Sequence, residues 1–241
     1  MVSSYSAPVG IGNERAIAVP KIVDHGERRR IIAEATWRVI ERDGFDRATF
    51  RAIAKELGYT PSVVAHYFRD KERLMEFAFK LGCEDAFSRI ERDAQHLPPG
   101  MPRLKIALEH MMPDSLGRDI SAKATLNYWG AAASTPAMVA VHRQSYLAWR
   151  ALLRRFLGEA AAAGQVASAL DIDLESSSLI ALIDGIMGGS ALESSRYPRS
   201  VQRTLIHRAL ARLSTNYEAV KPRTAVASRK VKTTARADKH A

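Results

Sequence analysis

The sequence predicts an all-α protein, with an N-terminal three-helix head and a larger C-terminal helical part. Apolar residues recur with helical spacing along most of the 241 residues, and no segment alternates like a strand. Glycine and proline breaks fall between the periodic segments. With 46% hydrophobic residues the chain can bury a substantial core.

The first helix is predicted to begin near Asp24, after an arm over residues 1–26 that has no periodicity. Asp24 and Glu27 have the spacing of a capping box. Gly44 followed by Phe45 is typical of a helix end. The predicted buried stripe consists of Ile32, Ala35, Thr36, Val39 and Ile40.

Two short helices joined by a glycine turn follow. The apolar face of the first is formed by Phe50, Ile53, Ala54 and Leu57. Gly58 can adopt the left-handed conformation that ends a helix. Thr60 offers an N-cap hydroxyl, and Pro61 suits the first helical position. This pattern predicts a helix-turn-helix, whose second helix typically enters the DNA major groove.

A longer connecting helix is predicted from Asp70, its N-cap, to about Ala94, with Leu74, Ala78 and Leu81 facing inward. The run from Leu97 to Gly100 breaks the chain. The remaining helices are predicted at Pro102–Met112, Ser121–Ser134, Pro136–Gly164, Leu174–Leu192 and Pro198–Tyr217. From Lys221 onward large apolar residues are almost absent, which predicts a disordered tail.

The net charge of +10 is concentrated in two places. Residues 27–80 carry 12 basic and 9 acidic side chains, and residues 221–241 carry 7 and 1. Residues 81–220 are nearly balanced, with 15 and 14. This asymmetry favours a polyanionic partner for the head and the tail.

The stretch from Thr49 to Lys71 resembles the DNA-binding motif of the TetR family of transcriptional regulators. The family pattern is matched by Thr49, Ile53, Ala54, Tyr67, Phe68 and Lys71. The run from His66 to Lys71 is most similar to the choline-sensing BetI type within that family. Ser62 and Ala65 depart from the pattern on the second helix, which leaves the operator sequence open.

The resemblance implies a division into a helix-turn-helix domain over residues 27–72, a ligand-binding and dimerisation domain over 73–220, and a basic tail over 221–241. It implies phosphate contacts from Thr49, Thr60, Tyr67 and Lys71, and base contacts from Pro61, Ser62 and His66. Val63 and Val64 can meet a thymine methyl or pack inward. Arg29 and Arg51 are expected to contact the DNA backbone. The alternative for Tyr67 is that its side chain packs in the core and contacts no phosphate.

The resemblance also implies a small-molecule effector that controls DNA release. The candidate ligand-binding residues are Tyr128, Trp129, Tyr146 and Trp149, because aromatic faces hold quaternary ammonium groups. The alternative is that these aromatics fill the core. Thr125 stands where the family pattern has a further tryptophan, which weakens the choline interpretation.

Asp184 lies in the apolar run Leu179–Leu192 and is similar to part of an L-I-D-G motif of betaine-type regulators. A buried acid must be paired or protonated. With Gly185, Gly188 and Gly189, which permit close helix approach, it is assigned to helix packing at a dimer seam in preference to ligand binding.

Several functional classes are disfavoured. The chain lacks the common hydrolase and phosphate-loop motifs, so we expect no enzyme, no catalytic residue, no cofactor and no metal. The single cysteine, Cys83, is expected to be a small buried hydrophobe. The apolar run around Asp184 is shorter than a membrane span needs. We expect a cytoplasmic, nucleoid-associated protein without membrane contact.

Sequence analysis therefore predicts a homodimeric, ligand-responsive regulator, most simply a repressor, bound to double-stranded operator DNA. The alternative is a ligand-independent architectural DNA-binding protein that relies on the basic tail, whose binding would ignore sequence and weaken steeply with salt.

Overall fold

A computed structural model describes residues 24–113 and 121–215; most of the predicted arm and all of the predicted tail lie outside these ranges. The described residues form nine helices and no named strand, as the sequence predicts. No helix in these ranges is both long and apolar enough to cross a bilayer. The helices are α1 (His25–Asp43), α2 (Phe50–Leu57), α3 (Pro61–Tyr67), α4 (Lys71–Ala94), α5 (Met101–His110), α6 (Ala122–Ala133), α7 (Pro136–Ala162), α8 (Ile172–Leu192) and α9 (Arg199–Leu213).

Helix α1 begins and ends at the predicted residues. The Asp24 carboxylate accepts a hydrogen bond from the Gly26 backbone N–H at 2.9 Å, rather than forming a box with Glu27. Gly44, with φ of +87°, donates to the Ile40 carbonyl. All five residues of the predicted stripe are buried.

The turn between α2 and α3 depends on local capping. The Thr49 hydroxyl accepts from the Ala52 N–H at 3.2 Å, and Gly58 adopts the left-handed conformation with φ of +67°. The predicted hydroxyl cap of α3 is wrong. Thr60 occupies the N-cap position, but its hydroxyl lies 2.8 Å from the Ser62 hydroxyl and makes no cap hydrogen bond.

Helix α4 belongs to both hydrophobic clusters of the molecule. Its first half contributes Leu74, Met75 and Ala78 to the cluster that contains the buried side chains of α1, α2 and α3. Its second half contributes Ala86 and Ile90 to the cluster of the C-terminal helices. Helix α4, which the sequence predicts as a connector, therefore contributes side chains to both hydrophobic clusters.

Helix α6 packs on the head as well. Its buried residues Ala124, Tyr128 and Ala132 belong to the same cluster as α1. At its start, the Ser121 hydroxyl donates to the Glu41 carboxylate of α1. The sequence places a domain boundary at residue 72, but the hydrophobic cluster of the head extends beyond it. Helix α6, which is distant in sequence, completes that cluster.

The body holds α5 against the end of α7 through a glycine turn. The Gly100 N–H donates to the Glu159 carboxylate at 3.0 Å, and the Met101 N–H donates to the Gln165 side-chain oxygen at 2.7 Å. Gly100 has φ of +91°, and a Cβ there would lie 2.9 Å from Ala160 Cα. Both its conformation and its surroundings require glycine.

We expect Gly100→Ala to lower the free energy of unfolding by about 3 kcal/mol or more, since it combines backbone strain with a clash against another helix. Gly164→Ala is the matched control. Its φ is +65° but nothing lies within 4 Å of the added Cβ, so about 1 kcal/mol is expected. Denaturant unfolding at one protein concentration measures both, and equal losses would contradict the close contact.

Candidate DNA-binding surface and ligand cavity

The outer face of α3 carries the predicted base-reading residues. Pro61, Ser62 and His66 are all exposed, as is Ala65. On the opposite face Val64 is fully buried in the head core and Val63 is half-buried. The core thus fixes the rotation of this short helix and leaves its polar face free.

The predicted phosphate-contacting residues surround this face. Thr49, Arg51 and Thr60 are exposed. Tyr67 is half-buried, and its ring lies 4.6 Å from the ring of His25. Because the Thr49 hydroxyl accepts the α2 cap hydrogen bond, its proton remains free to be donated outward.

Lys71 joins the start of α4 to the turn that follows α1. Its ammonium donates to the carbonyls of Phe45 at 2.6 Å and Asp46 at 3.3 Å, and lies 4.4 Å from the centre of the Phe45 ring. Partial burial lowers the pKa of Lys71. An ammonium has three donors, so one remains for a phosphate.

Arg29 is half-buried, and its contact with the DNA backbone stays a prediction. Its guanidinium lies 4.2 Å from the centre of the Phe77 ring and 5.1 Å from that of Phe68, and its Nε is buried without a hydrogen-bond partner. It packs within the head because the α1 face that bears it is turned toward α4. Arg30 on the same turn bonds Asp85 of α4 at 2.7 Å.

A cavity lies behind the head, between helices α1, α4, α6, α7 and α8. It contains about 660 Å³ of space between atoms, part of which is open to solvent. Its walls are mainly apolar. The lining residues are Trp37, Phe79, Gly82, Cys83, Met111, Thr125, Trp129, His142, Tyr146, Trp149, Ile180, Ile183, Asp184 and Met187.

Three of the four predicted ligand-binding aromatics line this cavity, namely Trp129, Tyr146 and Trp149. Tyr128 does not. Its side chain is fully buried in the head core, stacked on Phe79 with ring centres 4.3 Å apart and planes inclined by 7°. The cause is helical phase, since neighbouring residues on α6 point about 100° apart.

The sequence favours a helix-packing role for Asp184 over ligand binding. Its side chain accepts a hydrogen bond from the Tyr146 hydroxyl at 2.5 Å and also lines the cavity. It therefore does join two helices, α7 and α8, within one subunit. Burial raises the pKa of Asp184, and the hydrogen bond from Tyr146 opposes that effect.

The three glycines after Asp184 have separate surroundings. Gly189 faces Tyr197 of the same chain, where an added Cβ would lie 2.7 Å from a ring carbon. Gly185 and Gly188 have open space beside them. These two lie on one stripe of α8 that is exposed apart from the half-buried Gly188. Its apolar and small members are Leu174, Ala181, Gly185, Gly188 and Leu192. The spacings of 7, 4, 3 and 4 keep them on one face.

The cavity residues that sequence reasoning did not assign to a ligand site include Trp37, Cys83 and His142. Trp37 lies in α1, and its Nε1 donates to the Ala78 carbonyl of α4 at 3.2 Å. Cys83 lines the wall, and burial raises its pKa to about 11, so it is a thiol at neutral pH. Burial lowers the pKa of His142, whose Nδ1 is buried without a partner. Helical periodicity marks Trp37 as buried but does not reveal the cavity behind it.

Comparison with known sequences identifies both halves of the chain. The sequence model described as "Bacterial regulatory proteins, tetR family" matches residues 32–77. The model described as "BetI-type transcriptional repressor, C-terminal" matches residues 101–215. Among similar proteins, the HTH-type transcriptional regulator PksA of Bacillus subtilis is 33% identical over 80% of this chain and 90% of its own length. The regulator BetI of Yersinia pestis is 25% identical over 78% and 93%.

Solved structures share the fold. A putative transcriptional regulator from Pseudomonas aeruginosa PAO1 has a TM-score of 0.65 and 26% identity, covering 78% of this chain and 91% of its own. A putative transcriptional regulator from Saccharomonospora viridis, solved in complex with choline, has a TM-score of 0.67 and 21% identity, covering 76% and 95%. The proteins cited in these comparisons are regulators of transcription rather than enzymes.

Proposed function

The chain belongs to the TetR family of transcriptional regulators and has a C-terminal part of the BetI type, and from this we propose that it is a homodimeric repressor released by a small organic cation. It would act at the nucleoid, on a near-palindromic operator. The observation that carries this proposal is the cavity wall, because it combines an acid, several aromatic rings and a side chain of the DNA-binding head.

The exposed face of α3 would read the operator. Ser62 and His66 can hydrogen-bond to base edges and Pro61 can contact an apolar one, since all three are exposed on a helix whose other face is buried. Around it Thr49, Thr60, Arg51, Tyr67 and Lys71 would contact phosphates. Those contacts would position the helix without reading sequence.

A dimer is needed to present two such helices about 34–36 Å apart, which is one helical turn of DNA. The exposed stripe of α8 supports a seam between subunits. Leu174 and Leu192 on it are 65% and 78% exposed, and on α9 Val201 is also exposed. The open space beside Gly185 and Gly188 would let the backbone of a partner helix approach. Helices α8 and α9 of both subunits would then form a four-helix interface.

The effector site would be the cavity. Trp129, Tyr146 and Trp149 line it, and an aromatic face can attract a quaternary ammonium group by about 0.5–2 kcal/mol. Asp184 supplies a negative charge beside them. The choline bound to the Saccharomonospora viridis regulator supports a ligand of this class. Thr125 lies in the wall where the family pattern has a tryptophan, so this site has one aromatic ring fewer than that pattern.

Release would follow from contact between the effector and the head. Trp37 of α1 lines the cavity and is hydrogen-bonded to α4, while Tyr128 behind the wall lies 5.9 Å from it, ring centre to ring centre. A ligand that displaces this layer would move α1 together with α4. Such a ligand must bind the conformation that does not fit the operator more tightly than the one that does.

Operator-binding measurements distinguish a residue that contacts phosphates from a residue that contacts bases. We expect Tyr67→Phe to weaken binding to all DNA sequences alike, because it removes a phosphate contact. His66→Ala should cost about 1–3 kcal/mol on the operator and relax one base position. Fluorescence anisotropy with a set of single-base operator variants measures both. Sequence-independent losses from both variants would contradict the role of His66, and loss of operator preference on removing residues 221–241 would favour the architectural alternative.

The dimer seam can be tested with charged substitutions. Leu192→Glu would bury a carboxylate between subunits, so we expect dimerisation and operator affinity to fall by about tenfold or more. Leu147→Glu is the control, since Leu147 is 55% exposed on α7, away from the stripe. Sedimentation measures the association. A fully dimeric Leu192→Glu protein would exclude this seam.

Effector binding should depend on Asp184 and on pH. We expect Asp184→Asn to weaken choline binding about tenfold by removing the counter-charge. Because burial raises the pKa of Asp184, wild-type affinity should fall as the pH is lowered and the carboxyl is protonated. Burial lowers the pKa of His142, and a cationic His142 would weaken binding in both proteins, so it does not distinguish them. Calorimetry of wild type and Asp184→Asn from about pH 4 to about pH 8 tests this; identical pH profiles of the two proteins would rule out Asp184 as the counter-charge.

A further inference from the structure

His142 is an imidazole in the cavity wall whose Nδ1 has no hydrogen-bond partner among the described residues. Its Nδ1 is buried without a partner, and no hydrogen bond to either ring nitrogen occurs among residues 24–113 and 121–215. A neutral imidazole carries one donor and one acceptor. Buried polar groups are rarely left in this condition, so a partner outside the described residues is to be expected.

The surroundings of His142 offer no such partner. Its ring lies among those of Phe79 at 5.4 Å, Trp129 at 6.0 Å and Tyr146 at 4.6 Å, centre to centre. The Tyr146 hydroxyl is already bonded to Asp184. Burial lowers the pKa of His142, so at neutral pH its side chain is an uncharged donor and acceptor inside an aromatic wall.

A second unsatisfied group lies next to it. The Tyr128 hydroxyl is buried without a partner, on a side chain with no exposed surface, and its ring centre is 6.4 Å from that of His142. Tyr128 does not line the cavity, so of these two unpaired groups His142 is the one that a ligand in the cavity can contact.

Tyr146 lies between His142 and Asp184, the residue proposed as the counter-charge. His142 packs on the ring of Tyr146, and Asp184 is bonded to the hydroxyl of the same ring. A ligand a few bonds long can therefore contact the carboxylate at one end and the imidazole at the other. Among residues 24–113 and 121–215, the cavity lining includes no lysine or arginine, which disfavours a carboxylate on the ligand.

We propose that His142 is a specificity-determining residue, which recognises an uncharged hydroxyl-type group on a ligand whose cationic end lies at Asp184. This inference rests on the proposed function, because it assumes a cationic effector in this cavity. It narrows the effector to hydroxylated organic cations. Simple alkylammonium ions and zwitterionic betaines bind less well.

The test compares two cations that differ only at the polar end. Choline carries a hydroxyl where propyltrimethylammonium carries a methyl group. In wild-type protein we expect choline to bind about tenfold more tightly, since the methyl compound leaves His142 unpaired. In His142→Phe this preference should disappear, and in His142→Gln, which keeps a donor and an acceptor, it should largely persist. Calorimetry of both cations with wild type and His142→Phe gives the four affinities of the cycle, His142→Gln adds two more, and thermal unfolding verifies that each protein is folded.

Asp184→Asn is the matched control, because it should weaken both cations by the same factor and leave their ratio unchanged. If wild type binds both cations equally, or His142→Phe keeps the tenfold ratio, the role of His142 is overturned while the cationic effector stands. If neither cation binds, the proposed effector class fails and takes this inference with it. Glycine betaine binding as tightly as choline would overturn the exclusion of a carboxylate.

Discussion

The aromatic layer formed by Trp37, Phe79 and Tyr128 is the contact on which the rest of the structure depends. It brings together one helix of the head, the connector α4 and one helix of the body. Its inner side belongs to the core of the head, and Trp37 and Phe79 also form part of the cavity wall. Large flat side chains are incompressible and interdigitate, so a displacement on one side must be accommodated on the other. A displacement in the cavity can therefore reach the DNA-binding head through this layer, although no residue of α3 is among the cavity residues.

Polar contacts then hold the head in register with this layer. Arg30 pairs with Asp85 across α1 and α4, and Glu41 accepts from Ser121 across α1 and α6. The Arg30–Asp85 pair is partly exposed, so it contributes little stability on its own. Its geometric effect is larger, because it fixes how α1 lies along α4. Lys71 acts similarly at the base of α4, where it fixes the turn that precedes α2.

Local sequence signals were sufficient for the elements but not for their contacts. Asp24, Gly44 and Gly58 mark helix ends because capping acts over a few residues, and these ends lie where predicted. Tyr128 and Trp129 could not be separated from sequence, since the choice depends on which face of α6 meets the head. Arg29 was placed on DNA because a cluster of arginines suggests phosphate, whereas stacking on Phe77 depends on the position of α4. The apolar sequence neighbours of Asp184 predict that it is buried. They do not distinguish a helix interface from a cavity wall, because both are apolar.

Because α6 completes the core of the head, the head is not an interchangeable module. A chimaera that joins residues 24–80 to the body of another regulator would leave Trp37 and Phe79 facing a foreign α6. The donor body would have to supply both a ring in the place of Tyr128 and a hydroxyl for Glu41. Operator preference and effector response are therefore expected to be inherited together, and exchanging one without the other requires transplanting the surface of α6 as well.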